Sequence, residues 1–243
     1  MPEVTKYVIL FQGRAGSTFL TEHMGSHPEI RAKYEEFAGV EPDWDSQLDW
    51  MTNHYYMKRG KKVKAVGFKT KFTAIANRDL FGNFLEDNNV KVIHLWRHNL
   101  AKLIVSIIRA DELRKRYGEA NLFQGREKLG KIRIEPEDFH RYKCRSRIYR
   151  ELREYVDGLQ TEVCRVNYEQ LLYKQKGALN RIWDFLGVER VPTEAKVRKN
   201  TPDRLEDAVE NLDELRASFP EYEKFFAEDE QGPVDSATGQ TVE

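Results

Sequence analysis

The sequence predicts an α/β fold, a P-loop-like three-layer sandwich in which helices cover both faces of a central parallel sheet. Three observations lead there. Apolar runs of strand length recur along the chain, helix-period stripes stand between them, and the first run breaks at once into a glycine-containing loop that opens a helix. Strands alternating with helices are joined by right-handed crossovers, and ligands then bind at the carboxyl ends of the strands.

Residues 6–11 (KYVILF) are apolar almost throughout and end at Gln12-Gly13, which reads as a strand buried on both faces. Residues 63–68 (VKAVGF) and 90–96 (VKVIHLW) give two further strands, and 162–166 a weaker fourth. Leu100, Leu103, Ile104, Ile107 and Ile108 follow i, i+3, i+4, i+7, i+8 spacing, the mark of a helix with one core-facing stripe. Leu179, Ile182, Trp183 and Leu186 repeat it. Residues 118–133 are rich in Gly, Lys and Arg without period, a surface loop that is either a solvated connection or a mobile cover for a site. A chain of 243 residues suffices for one full α/β core and is short for two ordinary domains. One domain over 1–226 is therefore expected, followed by a disordered tail over 227–243, where large apolar residues are almost absent.

Forty Lys plus Arg balance forty Asp plus Glu, so the overall charge directs the chain toward neither nucleic acid nor an anionic membrane, and any basic site must be local. No run approaches the roughly 20 apolar residues of a membrane span, and no leader pattern opens the sequence. A cytoplasmic protein is expected. The two cysteines, Cys144 and Cys164, lack CxxC spacing and a histidine cluster, which points away from zinc and from a disulfide framework.

Gln12-Gly13-Arg14-Ala15-Gly16-Ser17-Thr18 lies between a buried strand and a helix, so its N–H groups converge in one concavity with the helix dipole behind them, a setting that attracts anions. Ser17 and Thr18 add hydroxyl donors, and Arg14 adds a permanent charge that can bond two oxygens. A turn followed by a helix cap would use the same residue types. The loop lacks the lysine of a nucleoside-triphosphate P-loop, and residues 90–96 run into Arg97, a cation where a metal-holding aspartate would be expected. A second anion without a metal suits that position, as in a nucleoside carrying phosphate at both ends.

Together these features resemble the sulfotransferase family. Gly13 to Leu20 is similar to its 5′-phosphosulfate loop, and Arg97-His98-Asn99 running to Ser106 is similar to its 3′-phosphate segment. The likeness extends through Val66-Gly67-Phe68-Lys69, Val166 to Leu171 and Trp183 to Val188, about the first 190 residues, and Asn200-Thr201-Pro202 is similar to a feature of bacterial members that sulfate carbohydrates. The resemblance implies 3′-phosphoadenosine 5′-phosphosulfate (PAPS) as donor and no metal. Arg14, Ala15, Gly16, Ser17 and Thr18 would wrap the 5′-phosphosulfate, Arg97 and Ser106 would hold the 3′-phosphate, and Tyr168 would lie near the adenine. Ala15 and His98 depart from the commoner pattern, which has a hydroxyl at the first position and a second arginine at the other.

Sulfuryl transfer needs charge stabilisation on the donor and a base for the acceptor hydroxyl. Arg14 supplies the first. Glu35, in Tyr34-Glu35-Glu36-Phe37, is similar in position to the catalytic glutamate of carbohydrate-sulfating relatives; His23, His27, His94 and His98 stay open, since relatives acting on phenols use histidine. Lys69 and Lys71 are read as solvated strand-end lysines. The acceptor is expected to be a carbohydrate or other small alcohol, with Trp44, Trp50, Tyr55 and Tyr56 either stacking on it or filling the core. The competing functions are a kinase using ATP and magnesium, and a non-catalytic nucleotide-binding module.

Overall fold

A computed structural model describes residues 4–37, 43–57, 60–122, 126–197, 199 and 201–230. In chain order the elements are β1 (Thr5–Phe11), α1 (Ser17–Gly25), β2 (Ile30–Glu35), α2 (Trp44–Tyr56), β3 (Ala65–Lys71), α3 (Arg78–Asp87), β4 (Val90–Trp96), α4 (Leu100–Tyr117), α5 (Pro136–Lys143) and α6 (Arg145–Gly158). They continue with β5 (Val163–Asn167), α7 (Tyr168–Tyr173), α8 (Gln175–Leu186), α9 (Leu212–Ser218) and α10 (Glu223–Glu230). The chain divides into two compact units, residues 1–98 with 144–197, and residues 99–143 with 198–243.

The first unit holds all five strands in one sheet, ordered β2-β3-β1-β4-β5 and parallel at every pairing. Side-chain alternation along β1 sorts the core into two layers. Tyr7, Ile9 and Phe11 pack with Leu20 and Met24 of α1 and with Ile182, Trp183 and Leu186 of α8. Val8 and Leu10 pack on the other face with Met51 and Tyr55 of α2, Phe81 and Leu85 of α3, and Leu152 and Val156 of α6. This is the three-layer α/β sandwich with a central parallel sheet. Gly67 is required where β3 meets β1, because a Cβ there would lie 2.1 Å from the Tyr7 carbonyl oxygen.

The sheet differs from the sequence reading most at β2 and β3, while β1 begins one residue earlier and β5 lies one residue later than expected. β2 is an additional strand; its Arg31, Lys33 and Glu35 interrupt the apolar run that marks the buried strands, and it stands at the sheet edge, where charged residues discourage pairing with other chains. β3 begins two residues later and ends three residues later than expected, which brings Lys69, Thr70 and Lys71 inside the strand.

In the second unit, Ala101, Ile104 and Val105 of α4 pack with Phe139 of α5, Leu215 of α9 and Phe226 of α10. Arg109, fully buried, donates to the carbonyl oxygens of Leu129 (2.8 Å), Gly130 (2.7 Å) and Ala208 (3.1 Å), so the surface loop expected over 118–133 is tethered at this end. The tail expected over 227–243 begins inside α10, and residues 231–243 lie outside the described residues. Among the described residues, no helix is long and apolar enough to cross a membrane.

Candidate active site

The turn after β1 is held in an unusual backbone shape. Arg14 has φ 69° and Gly16 φ 82°, so two left-handed residues flank Ala15; the first is uncommon for a residue with a side chain and costs on the order of 1–3 kcal/mol. Gly16 caps α1 with no side-chain hydrogen bond to the helix, and the first turn carries no acidic residue. The N-cap thus offers the leading N–H groups of this nine-residue helix no side-chain acceptor, which leaves a positive helix end facing the turn. Tyr149 on α6 fixes the turn from below: its hydroxyl donates to the carbonyl oxygens of Gln12 and Gly13, each at 3.0 Å. Burial raises the Tyr149 pKa, so the phenol stays protonated.

Arg97 follows the last residue of β4 and is 4% exposed. Its Nη1 lies 3.5 Å from the Arg14 carbonyl oxygen, its guanidinium sits 4.7 Å over the Tyr168 ring, and its Nε is 3.9 Å from Glu169 and buried without a hydrogen-bond partner. Its Nε is thus a buried donor without an acceptor, a deficit worth about 1–3 kcal/mol and more for a charged group. Glu169 is turned partly to the backbone, accepting from the His98 N–H at 3.1 Å. Tyr168 is set by a capping box at the start of α7, in which Asn167 Oδ1 accepts from the Gln170 N–H at 2.7 Å and Gln170 Oε1 accepts from the Asn167 N–H at 3.4 Å. The structure therefore brings the Arg14–Thr18 loop, Arg97 and Tyr168 together. Ser106 is buried on α4 in the second unit.

Lys69 corrects the sequence reading, which set it aside as solvated. It is 3% exposed, donates from Nζ to Thr18 Oγ1 at 3.2 Å, and lies 5.8 Å from the ring centres of both Phe11 and Tyr34. A lysine inside an apolar run that stops at a sheet's carboxyl edge was the available signal. Sequence reasoning did not single out Tyr149 or Glu169 for the site; Tyr149 reaches the loop through contacts 136 and 137 residues away, and Glu169 meets the His98 N–H 71 residues away.

Glu35 closes β2 and is the register partner of Lys69, so the backbone places it beside the loop end of the sheet; its side chain lies outside the described residues. The neighbouring Glu36 N–H donates to the Lys69 carbonyl oxygen at 3.1 Å, and burial raises the Glu36 carboxyl pKa against the opposing effect of Lys33. Three of the four histidines are committed or buried elsewhere. His23 Nδ1 meets Thr193 Oγ1 at 2.9 Å, His27 Nε2 meets the Glu189 carbonyl oxygen at 2.8 Å, and His94 is buried within β4 with its pKa lowered to about 4, chiefly by burial. Of the aromatic residues weighed for the acceptor, Trp50 packs on Phe37 and Phe68, and Tyr55 is core, its hydroxyl donating to the Tyr7 carbonyl oxygen at 2.8 Å.

A parallel sheet whose first strand enters an uncapped helix through a left-handed turn, with a buried arginine at the end of the neighbouring strand β4, defines a P-loop-like α/β fold with two positions suited to anions at one edge of its sheet. The sulfotransferase from Alicyclobacillus acidocaldarius superposes with a TM-score of 0.52 at 15% identity, over 93% of this chain and 92% of that one. The sulfotransferase domain from the curacin biosynthetic pathway superposes with 0.51 at 15% identity, over 78% and 76%. The chain has the fold of these sulfotransferases. In sequence it is 24% identical over 246 residues to nodulation protein H of Rhizobium tropici, covering 95% of this chain and 96% of that protein. No family model matches.

Proposed function

We propose that the protein is a sulfotransferase, moving the sulfuryl group of PAPS to a hydroxyl of a carbohydrate or other small alcohol. The observation that carries this reading is the pairing of two anion positions in the first unit. The uncapped start of α1 with its left-handed loop suits the 5′-phosphosulfate, and the acceptor-poor guanidinium of Arg97 suits the 3′-phosphate. The Tyr168 ring lies between them, touching both Gly16 and Arg97, where a flat base could stack beside it. The resemblance adds Ser106 as a 3′-phosphate ligand, which Ser106→Ala tests. Arg97 also stands where a magnesium-dependent kinase would be expected to hold its metal with a carboxylate.

In the reaction, the acceptor oxygen bonds to sulfur as the bond from sulfur to the bridging phosphate oxygen breaks, and adenosine 3′,5′-bisphosphate leaves. Arg14, the α1 N-terminus and Lys69 stabilise charge on the donor oxygens. Glu35 takes the acceptor proton. Incubation with PAPS and a panel of hydroxyl acceptors tests this directly: sulfate gained by an acceptor, with matching release of the bisphosphate, is expected. Phosphate transfer from ATP and magnesium, with none from PAPS, would replace the reading with a kinase. The chain is read as acting in the cytoplasm, where PAPS would have to be supplied.

A further inference from the structure

Tyr34 is out of keeping with its strand. Ile30 is buried and Ala32 packs against the same core layer, and simple alternation would send residue 34 to that face as well. The pairing with β3 instead shifts at this point: Lys33 is opposite Phe68 and Glu35 opposite Lys69, leaving Tyr34 as the extra residue of a bulge. Bulges of this kind re-aim a side chain and recur beside active sites. Here the outcome is a tyrosine 59% exposed, its ring centre 5.8 Å from Lys69 Nζ, and that Nζ in turn bonded to Thr18 of the anion-binding loop.

Resting on the sulfotransferase reading, we propose that Tyr34 is the platform on which the acceptor lies and that the acceptor presents a sugar ring. An exposed aromatic face is costly to leave wet and rigid enough to orient what covers it. A pyranose suits such a single open face, because it has a C–H patch on one side and hydroxyls around its edge. Its carbons can rest on the ring at about 3.5–4.0 Å while the edge hydroxyls remain hydrated or reach the Lys69 side of the ring. A phenol is apolar on both faces and calls for a closed slot rather than one exposed wall.

The test compares the native chain with Tyr34→Phe and Tyr34→Ala, using PAPS with cellobiose, lactose, chitobiose and their methyl glycosides as sugar probes, and p-nitrophenol and 2-naphthol as phenolic ones. Sugar sulfation is expected, with the acceptor KM raised about tenfold in Tyr34→Ala, in the range of truncating an aromatic anchor, and close to native in Tyr34→Phe. The PAPS KM and the thermal shift given by the bisphosphate should not change. Transfer to phenols alone, transfer to none of the probes with bisphosphate binding intact, or an unchanged sugar KM in Tyr34→Ala would overturn the proposal. Loss of bisphosphate binding by the native chain would instead remove the sulfotransferase reading on which it rests.

Discussion

The Tyr168 ring lies so close over Gly16 that a Cβ on the glycine would come within 2.5 Å of the tyrosine Cδ2. Because Gly16 also has φ 82°, an alanine would meet two penalties, one from backbone strain and one from displacing the ring that carries Arg97. Gly16→Ala should lower stability by about 1–3 kcal/mol and weaken adenosine 3′,5′-bisphosphate binding at least tenfold. Chemical denaturation and calorimetric titration measure the two effects, and full retention of binding would detach Tyr168 from the donor site.

Tyr149 positions the loop without standing in it. Tyr149→Phe keeps the packing but leaves the Gln12 and Gly13 carbonyl oxygens without this donor, a loss of about 1 kcal/mol. The expected kinetic result is a PAPS KM several-fold higher with the acceptor KM unchanged. A merely structural role would lower stability and leave that ratio alone.

Glu35→Gln should preserve bisphosphate binding and reduce kcat by about 10²–10⁴-fold. Glu36→Gln is the internal comparison, since burial raises the pKa of that carboxyl and could equally suit it to proton transfer. The base acts as carboxylate, so kcat should fall as pH falls through its pKa in the complex. A larger loss in Glu36→Gln than in Glu35→Gln would move the assignment by one residue.

His94 makes folding sensitive to acid. Its pKa is lowered to about 4, first by burial and then by Arg165, whereas in the unfolded chain it titrates near 6.5. Between those values the unfolded state binds a proton that the folded state does not, so stability is undiminished above about 6.5 and declines as pH falls toward 4. The full effect is roughly 3 kcal/mol. Urea denaturation of the native chain and of His94→Gln from pH 7 to 4 should show a shallower decline in the variant; parallel curves would assign the acid sensitivity elsewhere.

Much of this was legible in the residues. β4 has the bounds expected of it, because an apolar run buried on both faces leaves little freedom of interpretation, and the loop at Gly13–Thr18 announced itself by following such a run. β2 was not legible, since its charges mask the alternation and its bulge breaks the period at Tyr34. Lys69 was misread for a related reason: lysines at strand ends are usually solvated, and only the closeness of α1 shows this one buried. Tyr149 and Glu169 reach the site across long sequence separations, and local pattern carries no trace of that.

On the proposed function, the first unit binds a nucleotide with separate 3′ and 5′ anions. Thermal unfolding with adenosine 3′,5′-bisphosphate, run beside ATP with magnesium, tests it most directly. At 100 times its dissociation constant a ligand adds about 2.7 kcal/mol, which in a chain of this size raises the midpoint by roughly 5–10 °C. That rise is expected with the bisphosphate, and its reduction in Arg97→Ala. A rise with ATP and magnesium alone would contradict it.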